Sequence, residues 1–161
     1  MFFKKKQDKT KLIKRISIYI SDKQKQLIIA PKHENDAGII YEQDKCLVTE
    51  NPMNLSELGK EVINYLNLFS IKDVNLRDTK SSDWPAFKNS KVKSIREFKQ
   101  EYICISIESV NNSNLILQIE GKPYNGSELT INSHISFHAN NEEIGKRVMK
   151  IYETCLTGII S

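Results

Sequence analysis

The stretch Asp83 to Glu108, DWPAFKNSKVKSIREFKQEYICISIE, decides the fold, because the residues before it and after it repeat one pattern. Ser94 followed three residues later by Glu97 has the spacing of a capping box, in which each side chain satisfies a backbone N–H left open by the first helical turn. A short helix is expected to start at Ile95 and to run into an extended segment from Tyr102 to Glu108. There Ile103, Ile105 and Ile107 alternate with Cys104 and Ser106, the period-two signal of a strand buried on one face. Upstream, Pro85 keeps Trp84 out of the α region and itself suits the first position of a short helix through Phe87. Trp84 and Phe87 are read as core or rim.

Toward the N-terminus, Ile16, Ile18 and Ile20 alternate with Ser17 and Tyr19, and after the polar residues Ser21 to Lys25 come Leu27, Ile28 and Ile29, ending at Pro31. This is the pattern of a hairpin. Beyond the Asp36-Ala37-Gly38 turn, Ile39 to Tyr41 and Cys46 to Thr49 are further extended segments. A helix follows Pro52: Asn54 and Glu57 have cap spacing, and Leu55, Leu58, Val62, Leu66 and Phe69 share one face. Residues 71 to 82 lose periodicity and read as a surface connection.

Past the central stretch, Leu115, Leu117 and Ile119 mark a strand, residues 122 to 127 a turn, and Leu129 to Ala139 more strand. A last helix starts at Asn140, with Glu143 in cap register and Ile144, Val148, Ile151 and Cys155 on one face. Glu57-Leu58-Gly59-Lys60 with Val62 matches Glu143-Ile144-Gly145-Lys146 with Val148 at an offset of 86 residues. A glycine in a first helical turn costs up to about 1 kcal/mol against alanine, so two at equivalent positions suggest that each helix start packs closely on a strand. The expected architecture is α+β: an antiparallel-rich sheet with helices, built as a duplicated strand-strand-strand-helix unit with halves at about 14–70 and 101–156.

At 161 residues, 39% apolar and 27% charged, the chain fits one globular domain, 1–161, large enough to bury roughly two thirds of its unfolded surface. Residues 1 to 25 hold nine Lys or Arg and two Asp, giving +7, so the remaining fifteen bases and eighteen acids give −3 to residues 26 to 161. The basic character is that of an N-terminal tail, with residues 1–11 read as solvated. Neither a signal segment nor a membrane span is evident, and Cys46, Cys104 and Cys155 lack CxxC spacing; a cytoplasmic protein with free thiols is expected.

No catalytic residue, cofactor-binding residue or metal ligand is singled out. His134 and His138 lie on one strand face but about 13 Å apart, too far for one ion. No phosphate loop, dinucleotide fingerprint or nucleophile elbow occurs. A surface-acting, cofactor-free binding protein is what remains, with two rivals: a nucleic-acid binder using the lysine tail, and a small enzyme with an unrecognised site.

Three features taken together, Trp84 to Ile107 with its K-S-I-R-E-F run, the Leu55 to Leu66 helix with E-L-G-K, and the terminal E-I-G-K helix, resemble the immunity proteins of bacterial contact-dependent growth inhibition (CDI) systems. The resemblance covers about Ile16 to Cys155. It implies a monomeric cytoplasmic inhibitor, not an enzyme, that binds the C-terminal domain of a cognate toxin, often a nuclease, and occludes its active site without binding specific nucleic acid or membrane. Combined with the charge distribution, it makes the acidic loops of the first half the expected contact surface: Glu34, Asp36, Glu42 and Asp44, with Tyr41 and Trp84 as aromatic anchors.

Overall fold

The computed structural model describes residues 12–72, 80, 83–120 and 130–157. The expected tail 1–11 and the turn at 122–127 lie outside these, as does most of the expected connection 71–82.

The first hairpin forms from β1 (Arg15–Ser21) and β2 (Gln26–Glu34) in antiparallel register, with Ile18 opposite Ile29. Ile16, Ile18 and Ile20 point to one face of the sheet and Tyr19 to the other, as period two requires. Pro31 does not end β2; the strand continues to Glu34. The proline sits where β2 changes partner on its outer edge. Residues Gln26 to Ile29 pair with β4 (Leu47–Glu50), and Lys32 to Glu34 pair with β3 (Ile40–Glu42). A donor is missing where the outer ladder breaks, which is where a sheet tolerates proline. A two-residue strand, β5 (Ser70–Ile71), lies parallel to the end of β2, a pairing too short to leave a pattern in the sequence.

The central stretch folds as expected. Helix α2 (Pro85–Lys88) is followed by α3 (Ile95–Glu101), whose capping box is complete between Ser94 and Glu97. The chain then enters β6 (Ile103–Ser109), which pairs antiparallel with β1, and continues through β7 (Asn114–Glu120) and β8 (Thr130–Ser136). Strand β8 stops at Ser136, short of the expected Ala139, and His138 therefore lies in the turn beyond it. The sheet of eight described strands runs β3-β2-β1-β6-β7-β8, with β4 and β5 also on β2. The fold is α+β, with β1 and β6 at the middle and the two sets of strands extending outward from them.

Helices α1 (Leu55–Leu66) and α4 (Asn141–Thr157) cover one face. Asn54 caps α1 through its side chain, which accepts from the N–H groups of Ser56 and Glu57. Asn140 and Glu143 cap α4 reciprocally, at 2.9 and 3.3 Å. Leu58, Val62 and Leu66 from α1 and Ile144, Val148 and Ile151 from α4 meet Ile16, Ile18, Ile105, Leu117 and their neighbours in one core.

The glycine expectation needs correcting on one point. Each glycine packs not on a strand but on the opposite helix. A Cβ built on Gly59 would stand 1.8 Å from the carbonyl oxygen of Asn141, and one on Gly145 would stand 1.9 Å from that of Leu55. The first residue of each helix thus sits against the fifth residue of the other. Only a residue without a side chain permits backbones this close.

Among the described residues the second face is covered on one half alone. There Tyr19, Ile28 and Ala30 of the sheet meet Ala86, Phe98 and Tyr102 from the central stretch, with Trp84 and Phe87 packed alongside. Phe98 is the hub: its ring centroid lies 4.9 Å from that of Trp84, 5.2 Å from Tyr19 and 4.7 Å from Tyr102.

Candidate functional site

Placing α2 and α3 over β2 leaves a groove of about 740 Å³ between them and β3. Each wall is fixed by local bonds. The Asn35 side chain accepts from the N–H groups of Ala37 and Ile39 at 3.0 and 2.8 Å, and Gly38 takes a φ of 79°, so the turn into β3 is tightly specified. The other wall is tied down through Glu42, whose carboxylate accepts the hydroxyl of Tyr19 and, at 3.1 Å, the N–H of Ala86. One acidic side chain thus joins β3, β1 and the start of α2. Burial, reinforced by the nearby Cys104 and Glu42, pushes the Tyr19 hydroxyl far above its ordinary value and keeps it a donor.

Four of the six expected contact residues line this groove: Tyr41, Glu42, Asp44 and Trp84. Trp84 is half-buried, its ring edge-on to Tyr19 and Phe98, so it serves the second core and the groove wall together. Tyr41 packs at a tilt on His33, ring centroids 5.3 Å apart, and donates its hydroxyl to the carbonyl of Lys72 at 2.8 Å. Asp44 is exposed. Glu34 and Asp36 lie outside the groove lining. Glu34 pairs at 3.0 Å with Arg15, which also holds Glu108 at 3.0 Å, and Asp36 is exposed on the turn.

The geometry sets these acids among other charges. Glu34 and Glu42 are engaged within the protein, and the acids of the groove share it with five lysines, Lys32, Lys72, Lys80, Lys88 and Lys99. Against Glu42, Asp44 and Asp83 the formal balance of the lining is five minus three, or +2. The lysines come from β2, the end of β5, the segment before α2, and helices α2 and α3. Nothing in the local sequence marks any of them, since each is an ordinary surface lysine until the elements fold together.

His33 is held below its ordinary value, mainly by burial and then by the Lys72 charge, while its Nδ1 lies 2.7 Å from the Ser70 hydroxyl. The Cys46 thiol is pushed up to about 12 by burial and by Glu42 and Asp44, which leaves it protonated and a weak nucleophile. Among the described residues no cluster of three or more His, Cys, Asp or Glu could hold a metal ion, and no helix is long and apolar enough to cross a membrane.

No family model and no curated protein matches the chain. Solved structures do. A protein of unknown function from Neisseria meningitidis is similar in fold with a TM-score of 0.69 at 16% identity, covering 95% of this chain and 99% of that one. A chain of the CdiA-CT/CdiI toxin and immunity complex from Yersinia pseudotuberculosis is similar with a TM-score of 0.60 at 12% identity, over 85% of this chain and 94% of that one. At these identities the likeness is one of fold: this chain has the fold of a protein found in a toxin and immunity complex.

Proposed function

We propose that this chain is an immunity protein of the CDI type, which binds the C-terminal domain of a cognate toxin in the cytoplasm and occludes its active site. It acts as a monomer, by binding and not by turnover. The observation that carries this reading is the fold likeness, over 85% of the chain, to a protein in a toxin and immunity complex. A groove of about 740 Å³ beside a half-buried tryptophan supplies the kind of concave aromatic surface on which binding energy concentrates.

The test is protection. The reading frame beside this one is expressed from an inducible promoter, with and without the present chain. Growth arrest that this chain relieves, with the two proteins co-purifying, supports the reading. Growth arrest caused by the present chain alone would assign it to the toxin side and overturn the proposal.

A further inference from the structure

We propose that the groove between β3, α2 and α3 is the docking site for a segment of the protein partner that carries acidic side chains around an apolar one. This deepens the reading above and rests on it for the partner's identity.

The argument starts from unbalanced charge. Lys32, Lys72, Lys80, Lys88 and Lys99 line one groove, and among the described residues only Lys88 has an ion pair, a 3.4 Å contact with Asp83. The acids present are partly occupied. Glu42 already accepts two hydrogen bonds, and Asp83 also accepts the N–H of Lys80 at 2.9 Å. Like charges gathered with too few partners repel one another, and a ligand bearing carboxylates removes that repulsion on binding. The sign of the groove therefore selects an anion.

The apolar lining narrows the class. Trp84 and Pro85 from the α2 side and Ile40 of β3, 37% exposed, line the same groove, so apolar surface lies among the lysines. An apolar side chain flanked by Asp or Glu matches this layout, with anchor inside and charges at the edge. A nucleic-acid strand matches it less well. Among the described lining residues there is no arginine to read bases or to clamp phosphates in a fork, and of the aromatic rings there Tyr41 is already packed on His33 with its hydroxyl on the Lys72 carbonyl.

The experiment uses the full chain and two altered forms, Lys32→Glu/Lys88→Glu/Lys99→Glu and the neutral Lys32→Gln/Lys88→Gln/Lys99→Gln. Both are screened for an unchanged cooperative melt, and the glutamine form serves as the probe should the reversal fail to fold. The first arm titrates a short fluorescent peptide alternating Asp and Leu, its Asn-for-Asp analogue, and an oligothymidylate of equal charge. The acidic peptide is expected to bind best, with affinity at least about tenfold weaker in the lysine variants and falling with salt. Equal binding of the Asn analogue, or tighter binding of the oligothymidylate that the variants lose, would overturn the assignment. The second arm measures the neighbouring toxin domain. If the unaltered protein binds it and the variants bind it equally well, the groove assignment fails while the immunity reading stands. If the unaltered protein does not bind it but takes the acidic peptide through these lysines, the immunity reading fails and the site stands.

Discussion

The two halves of the sheet share one plan and end in opposite surfaces. In each, a four-residue turn joins the first two strands, at 22–25 and at 110–113, and a four-residue connection leads from the last strand into a capped helix, at 51–54 and at 137–140. The inner faces of both halves are buried under α1 and α4. The outer faces differ. That of β1 and β2 lies beneath α2 and α3, whereas that of β6, β7 and β8 presents Ser106, Glu108, Gln118, Asn132 and His134 around a smaller depression. The central stretch is thus a cover. Over β1 and β2 it completes a second core, and the seam where the cover meets the edge strands becomes the groove.

If the cover is what separates the halves, damage to it should be local and large. Phe98→Ala is expected to cost about 3–5 kcal/mol, because a fully buried aromatic hub leaves a cavity that its neighbours cannot fill. Hydrogen exchange checks its reach: amides of β2 should lose more protection than those of β7. Equal loss across the sheet would mean that the two cores are one cooperative unit.

The shared plan can be broken at the helix crossing. Gly59→Ala and Gly145→Ala should each cost roughly 2–4 kcal/mol, since the added methyl meets backbone on the other helix and not a side chain that could rotate away. Denaturant midpoints of the double variant should show less than the sum of the two, because helices already pushed apart by one methyl have room for the other. Strict additivity would argue against a single shared crossing.

A smaller effect sharpens the contrast between covers. Ser94→Ala removes the acceptor for the Glu97 N–H at 3.2 Å and should lower stability by about 1 kcal/mol, measured by chemical denaturation. Gln118→Ser on the open face should change it by less than about 0.5 kcal/mol.

The smallest expected effect is one of pH. The folded state holds His33 below its ordinary 6.5, so the unfolded chain binds the proton more readily. Stability from this group should therefore be intact above 6.5 and decline as pH falls from there toward the lower folded value. Lys72, Asp44 and Ser70 surround the ring. A His33→Gln variant should show a flatter decline in melting temperature across that interval, and an unchanged slope would exclude the imidazole.

The sequence made some of this plain and hid the rest for physical reasons. Caps and periodicities are local, so the spacing of Ser94 and Glu97, of Asn140 and Glu143, and of the alternating isoleucines placed their elements almost to the residue. The paired glycines were visible, but a glycine reports that something comes close without naming it, and the neighbour proved to be a helix. Pro31 misled because a proline's meaning in a strand depends on which edge its missing donor faces. At the site, Tyr41 and Trp84 could be picked out as aromatics near loops, and the structure does place both on one groove. The charge of that groove could not be read, because lysines 67 positions apart, Lys32 and Lys99, become neighbours only after folding. Glu42 likewise looks like any loop acid until the Tyr19 hydroxyl and the Ala86 N–H arrive from elsewhere.

The reciprocal contact at Gly59 and Gly145 has the form of an isologous interface, in which residue i of one unit meets j of the other and j meets i. A homodimer of a single half would carry that contact with both glycines encoded once, and any insertion would appear on both sides. Joined in one chain, the two halves mutate separately. One half carries the α2–α3 cover and the groove at its seam, while among the described residues the outer face of the other is uncovered, so a scaffold with a reciprocal helix crossing is one-sided on its second face.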